Sequence, residues 1–100
     1  MESTDLFELD PSARLIIPGH VLLRRVEDET VLLNVADEHH YGLDGVGTRT
    51  LELAGEGISI GTLLDTLERE YEVKRAVLEA DLLRLIRALH KAGLIELLRP

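Results

Sequence analysis

Apolar positions along this chain follow two different periods. Between residues 20 and 43 they alternate or fall in short blocks, and from residue 46 onward they return every three or four positions. His20 to Val26 (HVLLRRV) reads as a first strand, with Glu27, Asp28 and Glu29 as a polar reversal. Thr30 to Asn34 is the second strand, its apolar run Val31, Leu32 and Leu33 led by a β-branched residue. After a polar turn over 34–38, His39 to Leu43 alternates: His39, Tyr41 and Leu43 share one face, His40 and Gly42 the other. Short connections favour pairing of neighbouring strands, so residues 20–43 predict a three-stranded antiparallel meander.

Three helices are predicted to follow. Asp44 stands where a helix N-cap belongs, because its short carboxylate can accept from exposed N–H groups of the next turn. The first helix, 45–54, has sparse apolar positions and two glycines near its start, so packing must hold it. Gly55-Glu56-Gly57 ends it, with glycine suited to a left-handed cap. Ser59 caps a second helix, 60–71, in which Leu63, Leu64, Leu67 and Tyr71 form one buried face. In the third, about 74–92, Leu78, Leu82, Leu85, Leu89 and Ala92 lie within about 40° of one line. Ile86 sits some 80° from that line, and Leu83 and His90 lie further round. They extend the apolar surface beyond what a small sheet covers. Arg84, Arg87 and Lys91 make a basic ridge, a pattern most often solvated, and residues 94–98 end the chain as a short strand or a packed tail. The order predicts an α+β, winged-helix-like fold: a three-stranded antiparallel meander followed by three helices. Such a sheet needs cover on one face, and the helices supply it. Residues 1–13 lack periodicity, and Leu15 to Ile17 are cut off by Pro18-Gly19. Residues 1–19 are therefore expected to be a flexible N-terminal arm, with Leu6, Phe7 and Leu9 able to dock, and 20–98 the domain.

Composition narrows the chemistry. One hundred residues, 45% of them hydrophobic, make one domain with a modest core of Leu, Ile, Val and Ala. The absence of cysteine removes disulfides, thiolate metal sites and thiol nucleophiles. No apolar run approaches the roughly 20 residues of a membrane span, and the acidic start MESTDLFELD is unlike a signal peptide. Together these point to a cytoplasmic protein. A formal charge of −8, with neither half of the chain basic, works against binding a phosphate backbone.

Catalysis and metal binding find little support. His39 and His40 are adjacent on a strand, so their side chains point to opposite faces and do not converge on one ion, even with Asp37, Glu38, His20 or His90 as further ligands. Ser3, Ser12 and Ser59 sit in the arm, before a turn and at a helix cap. The glycines at 42, 45 and 47 follow neither a dinucleotide-binding nor a P-loop spacing. No enzyme site, cofactor or metal is expected. The third strand differs, because everything after it is helical. It is left as an open edge with no lysine or proline between Glu38 and Leu43, a template for strand addition.

Leu33-Asn34, a turn, then Tyr41, Leu43, Asp44 and Gly47 resemble the family of PQQ-biosynthesis protein D and the related peptide-recognition domains of peptide-modifying enzymes. That family reads Leu-Asn, turn, aromatic-x-Leu-Asn-x-x-Gly at this point. The resemblance extends over residues 20–95. Asp44 replaces the second Asn, and Thr50-Leu51 stands where the family often has Ile-Trp. It implies a non-catalytic chaperone or adaptor that captures the leader of a ribosomally made precursor peptide as an added strand and presents it to a modifying enzyme, in the protein D case a radical-SAM protein. Carried onto this chain, main-chain contacts come from Glu38, His39, His40, Tyr41, Gly42 and Leu43. The side-chain wall is drawn from Leu78, Leu82, Leu83, Ile86 and His90, with Leu78 and Leu82 shared with the core. The competing expectations are a winged-helix domain that binds DNA or another protein through the third helix, and a homodimer paired through the open edge.

Overall fold

The computed structural model describes residues 10–99. The docking expected of Leu6, Phe7 and Leu9 lies outside the described residues. Strands β2 (Val21–Val26), β3 (Glu29–Asn34) and β4 (His40–Leu43) form an antiparallel sheet in the order β2-β3-β4. Three helices follow: α1 (Gly45–Ala54), α2 (Ile60–Tyr71) and α3 (Arg75–Lys91). The fold is α+β, the predicted meander followed by the predicted helices. Among the described residues no helix is long and apolar enough to cross a membrane.

The helices cover one face of the sheet. Register pairs Leu32 with Tyr41 and Thr30 with Leu43, and the inward residues Thr30, Leu32, Asn34 and Leu43 are buried. From α2 come Ile60, Leu63 and Leu67, and from α3 come Leu78, Leu82, Ile86 and Leu89. The spacing 78, 82, 86, 89 differs from the stripe expected from the sequence. Ile86 is 1% exposed, a core residue, whereas Leu85 is only half-buried. Turning the helix by about 35°, a third of a residue step, places both Ile86 and Leu82 under the sheet and lifts Leu85 towards its edge.

The expected boundary at residue 19 moves. Arg14–Ile16 form a strand, β1, antiparallel to β5 (Glu96–Leu98), so the C-terminal residues pair rather than merely pack. Ala13 and Leu15 are buried, and the carbonyls of Pro11 and Ala13 accept from the N–H groups of Gly61 and Ile60 at 2.9 and 2.8 Å. Those N–H groups open α2 and have no partner within the helix, so this segment satisfies them. Helix ends also differ from expectation in detail. Gly55 is right-handed, and the left-handed residue of that loop is Gly57 at φ 81°.

The far end of α3 is fastened to the sheet. Gly93, at φ 73°, donates to the His90 carbonyl and Leu94 to that of Leu89, a Schellman stop that buries Leu94. Asn34 Nδ2 donates to the Ala92 carbonyl at 3.2 Å, while its Oδ1 accepts from the Ala36 N–H at 3.0 Å. His20 Nε2 lies 3.1 Å from the Gly93 carbonyl oxygen, which only accepts, so that nitrogen carries the proton.

Candidate functional site

Strand β4 has β3 on one side and, among the described residues, no strand on the other. The Asn34 N–H donates to the His39 carbonyl at 2.8 Å, which makes 34 and 39 a hydrogen-bonded pair. Bonded and non-bonded pairs alternate along an antiparallel ladder, so Tyr41 and Leu43 also spend their main-chain groups on β3. The N–H and C=O groups of His40 and Gly42 therefore point to the open side. A Cβ built at Gly42 meets nothing within 4 Å, so the outer face of the strand is open at this position.

Immediately after the strand, Asp44 caps α1 by accepting from the Gly47 N–H at 2.9 Å. A Cβ at Gly47 would lie 3.1 Å from that of Leu43. Glycine here lets α1 lie close against the strand end. The Leu-Asn and Leu-Asp-x-x-Gly elements thus have separate structural tasks: Asn34 fastens the sheet to α3, and Asp44 with Gly47 seats α1.

Next to the edge, the N-terminal half of α3 stands away from β4 and leaves a cleft of about 590 Å³. Its floor includes Leu43, Gly47, Leu67, Leu78 and Leu82, all buried. Thr50 also faces the cleft, but its hydroxyl donates to the Val46 carbonyl at 2.8 Å, so the floor remains apolar in effect. Val46, Tyr71, Val73 and Val77 form a rim, 37–51% exposed. Asp44, Asp81 and Arg84 contribute charge, with Arg84 and Asp81 paired at 3.2 Å.

Ion pairs brace the surrounding helices. Arg49 of α1 holds Glu70 of α2 at 2.8 Å, and this guanidinium keeps the Glu70 carboxyl below its ordinary range. Arg75, at the start of α3, reaches Asp65 and Glu68 on α2 at 2.7 and 3.1 Å, and these carboxylates, with Glu79, raise its pKa. All are partly exposed, so they orient the helix ends more than they stabilise the fold.

The structure brings together some of the residues expected from the sequence and separates others. Tyr41, Gly42, Leu43, Leu78 and Leu82 line the cleft, and His40 presents its main chain at the edge. Glu38 and His39 do not reach the edge. Glu38 is in the left-handed region at φ 64° and donates to the Asn34 carbonyl at 2.7 Å, closing the β3–β4 turn. The His39 carbonyl is spent on Asn34, and its ring pairs with Asp37 at 3.2 Å. Ile86 is core, Leu83 is half-buried away from the cleft, and His90 is exposed towards the fastened end of α3. Sequence reasoning missed Val46, Tyr71, Val73, Val77 and Leu85. Tyr71, expected in the buried face of α2, is instead 39% exposed at the cleft rim. For Val73 and Val77 a signal existed, because both are apolar beside the Glu72 break, where neither continues a helix stripe. Among the described residues no three His, Asp or Glu side chains are grouped to hold a metal.

Residues 29–95 match the model of the family described as Coenzyme PQQ synthesis protein D (PqqD). The match spans most of the chain, and the chain belongs to that family. Two solved structures resemble it. One is TbiB1 in complex with the TbiA(beta) leader peptide, 36% identical, with a TM-score of 0.76 over 81% of this chain and 94% of that one. The other is a lasso peptide synthetase B1 complexed with the leader peptide. It is 22% identical, with a TM-score of 0.73 over 85% of this chain and 98% of that one, and it is a likeness of fold. No curated protein matches the chain.

Proposed function

We propose that this chain is a non-catalytic adaptor that captures the leader segment of a ribosomally synthesised precursor peptide as an added strand on β4 and presents the peptide to a modifying enzyme. The observation that carries this reading is the edge at His40 and Gly42, unpaired among the described residues, opening beside the apolar cleft. A guest strand bonded there places alternate side chains over the cleft. The main-chain bonds contribute about 1 kcal/mol each. Micromolar affinity needs about 8 kcal/mol. The rest must come from two or three apolar guest side chains, at roughly 1.5–3 kcal/mol for each one buried. The family, and the leader peptide bound by the neighbour at 36% identity, support the same reading. Arg84 at the cleft is paired with Asp81, and the chain carries a net charge of −8, so nothing favours nucleic acid as the guest.

The finer parts belong to the proposal. The receiving enzyme is a radical-SAM protein on the precedent of the PQQ branch, and the complex forms in the cytoplasm, where the precursor is made. Pairing of two copies through β4 would compete with the peptide for the same edge. The test is a backbone amide NMR titration with the leader segment of the precursor peptide. Shifts should cluster on residues 40–47 and 71–85. Shifts spread evenly over the domain, or none at saturating peptide, would overturn the proposal.

A further inference from the structure

A second hollow, of about 400 Å³, adjoins the peptide cleft and shares Asp44, Val46 and Tyr71 with it. It lies between the β2–β3 turn and α1. Val26 pairs with Glu29 and Thr30 with Leu43, so the turn of Glu27 and Asp28 projects past the end of β4. The hairpin contributes Arg25 and Asp28 to the hollow, and α1 with its cap contributes Asp44, Thr48, Arg49 and Glu52. Their charges are unevenly matched. Arg25 pairs with Glu52, and Arg49 with Glu52 and Glu70 at 3.2 and 2.8 Å, so both guanidiniums already have carboxylates. Asp28 makes no ion pair among the described residues, and Asp44 uses Oδ1 alone to cap α1. Thr48 is a separate sign of a missing group. It is 3% exposed, yet its hydroxyl has no hydrogen-bond partner among the described residues. Thr50 and Thr66 each donate to the carbonyl four residues back, at 2.8 and 2.9 Å, and Thr48 does not. A buried hydroxyl left unbonded is unfavourable until a ligand completes it. We propose that this hollow is a subsite for one lysine or arginine side chain of the captured peptide, held by Asp28 and Asp44 with the Thr48 hydroxyl beneath them as a further acceptor.

The inference rests on the peptide-capture reading and extends it to what the peptide must carry. Guest side chains over the cleft lie opposite Tyr41 and Leu43, because side chains alternate along a strand. The next one on that face falls two residues further, past the strand end, where Asp44 and Val46 border both hollows. A long cationic side chain can lay its methylenes along Val46 and Tyr71 and put its charged head among the carboxylates. Read from Tyr41 towards Asp44, the guest is then apolar, any residue, apolar, any residue, basic. A guest carboxylate fits less well, since it meets guanidiniums that have partners and, in Asp28, a carboxylate that has none. A bare metal ion fits less well too, since among the described residues no three His, Asp or Glu side chains are grouped to hold one.

The test uses the full chain and the leader segment of the precursor peptide, prepared with its basic residue and with glutamine in that place. By fluorescence anisotropy at low salt the basic form should bind about fivefold more tightly. The difference should vanish near about 1 M salt, where the screening length is about 3 Å. Asp28→Asn, at an exposed turn position, should lose the same factor with the basic leader and nothing with the glutamine form. Thr48→Val removes the unpartnered hydroxyl, so it should raise the urea midpoint and yet weaken the basic leader at least twofold. If that variant fails to fold, Asp28→Asn still decides the matter. Equal binding of the two leaders, additive losses in Asp28→Asn, tighter binding of a glutamate form, or a leader without Lys or Arg at that spacing overturns the subsite and leaves peptide capture intact. No binding of any leader form by the unaltered chain overturns both.

Discussion

The two ends of α3 meet the sheet differently. Its C-terminal end is tied down by Asn34, His20 and the Gly93 stop, with Leu89 and Leu94 buried beneath. Its N-terminal half stands off β4, with Tyr71, Val73 and Val77 partly in water and strand main-chain groups unclaimed by any described residue. At the tied end the carbonyls of Leu89, His90, Ala92 and Gly93 have partners, whereas the apolar side chains at the open end stand partly in water. The first arrangement is what stability favours. The second is what stability alone would eliminate, and it persists where a guest supplies the missing contacts.

Ile86 tests the separation most severely, because it sits in α3 between the two ends at 1% exposure. Ile86→Ala should cost about 3–4 kcal/mol of unfolding free energy by urea titration, with both ends loosened. A loss under 1 kcal/mol would place it at the cleft, as the sequence suggested. Gly42→Pro acts on one end alone. It removes an outward N–H and sets a ring on the edge while leaving the β3 ladder whole. Leader binding by fluorescence anisotropy should fall at least a hundredfold, or about 2.7 kcal/mol. Helical circular dichroism should be unchanged. Retained binding would mean that the guest does not use this edge.

Asn34→Ala is the converse. Two hydrogen bonds vanish at a site 5% exposed, leaving the Ala92 carbonyl and the Ala36 N–H short of partners. Stability should drop by about 2–3 kcal/mol, with leader affinity within threefold under conditions where the chain is folded. A large loss of affinity at constant fold would show that the ends are coupled. Val77→Asp is milder and cleaner. The site is 51% exposed in the first turn of α3, where a carboxylate suits the helix dipole, so stability should hold. Leader affinity should fall about tenfold, roughly 1.4 kcal/mol, while Leu83→Ala leaves it within twofold.

The contrast between the ends also explains what could be read from the sequence. Strand alternation and helix periodicity are local, and they placed the meander and the bounds of α1 and α2 well. The β1–β5 pairing joins residues 14–16 to 96–98, with nothing between them in sequence to signal it, so that segment was expected to be an arm. The edge was legible because three helices follow β4 directly, and the one later strand among the described residues, β5, pairs with β1 instead. The wall was not. Which side of α3 faces the sheet turns on a rotation of tens of degrees, decided by how Leu82 and Ile86 share the core. That rotation exchanges Leu85 for Ile86 at the cleft. The rim residues Tyr71, Val73 and Val77 were hidden for a related reason: apolar residues beside a helix break look like ordinary packing until the space next to them proves empty.

The smallest expected effect separates the ends through their helix stops. Glu72 ends α2 at φ 52°, beside the cleft rim, and Gly93 follows α3 at φ 73°, beside Asn34. Both are left-handed, a conformation that costs a residue bearing a Cβ about 1 kcal/mol and costs glycine little. At the tied end the suitable residue is in place, and a Cβ there would lie 3.0 Å from Asn34 Nδ2. At the open end it is not, so Glu72 holds the turn under strain. Glu72→Gly should therefore stabilise the chain by up to about 1 kcal/mol, and Gly93→Ala should destabilise it by at least as much. Because φ is unchanged in Glu72→Gly, Tyr71 and Val73 keep their places and leader affinity should stay within twofold. Paired urea titrations of the two variants read the comparison directly. If Glu72→Gly proves neutral in stability but weakens capture, then Glu72 is holding the rim rigid for the guest, and the strain at the open end belongs to binding rather than to the fold.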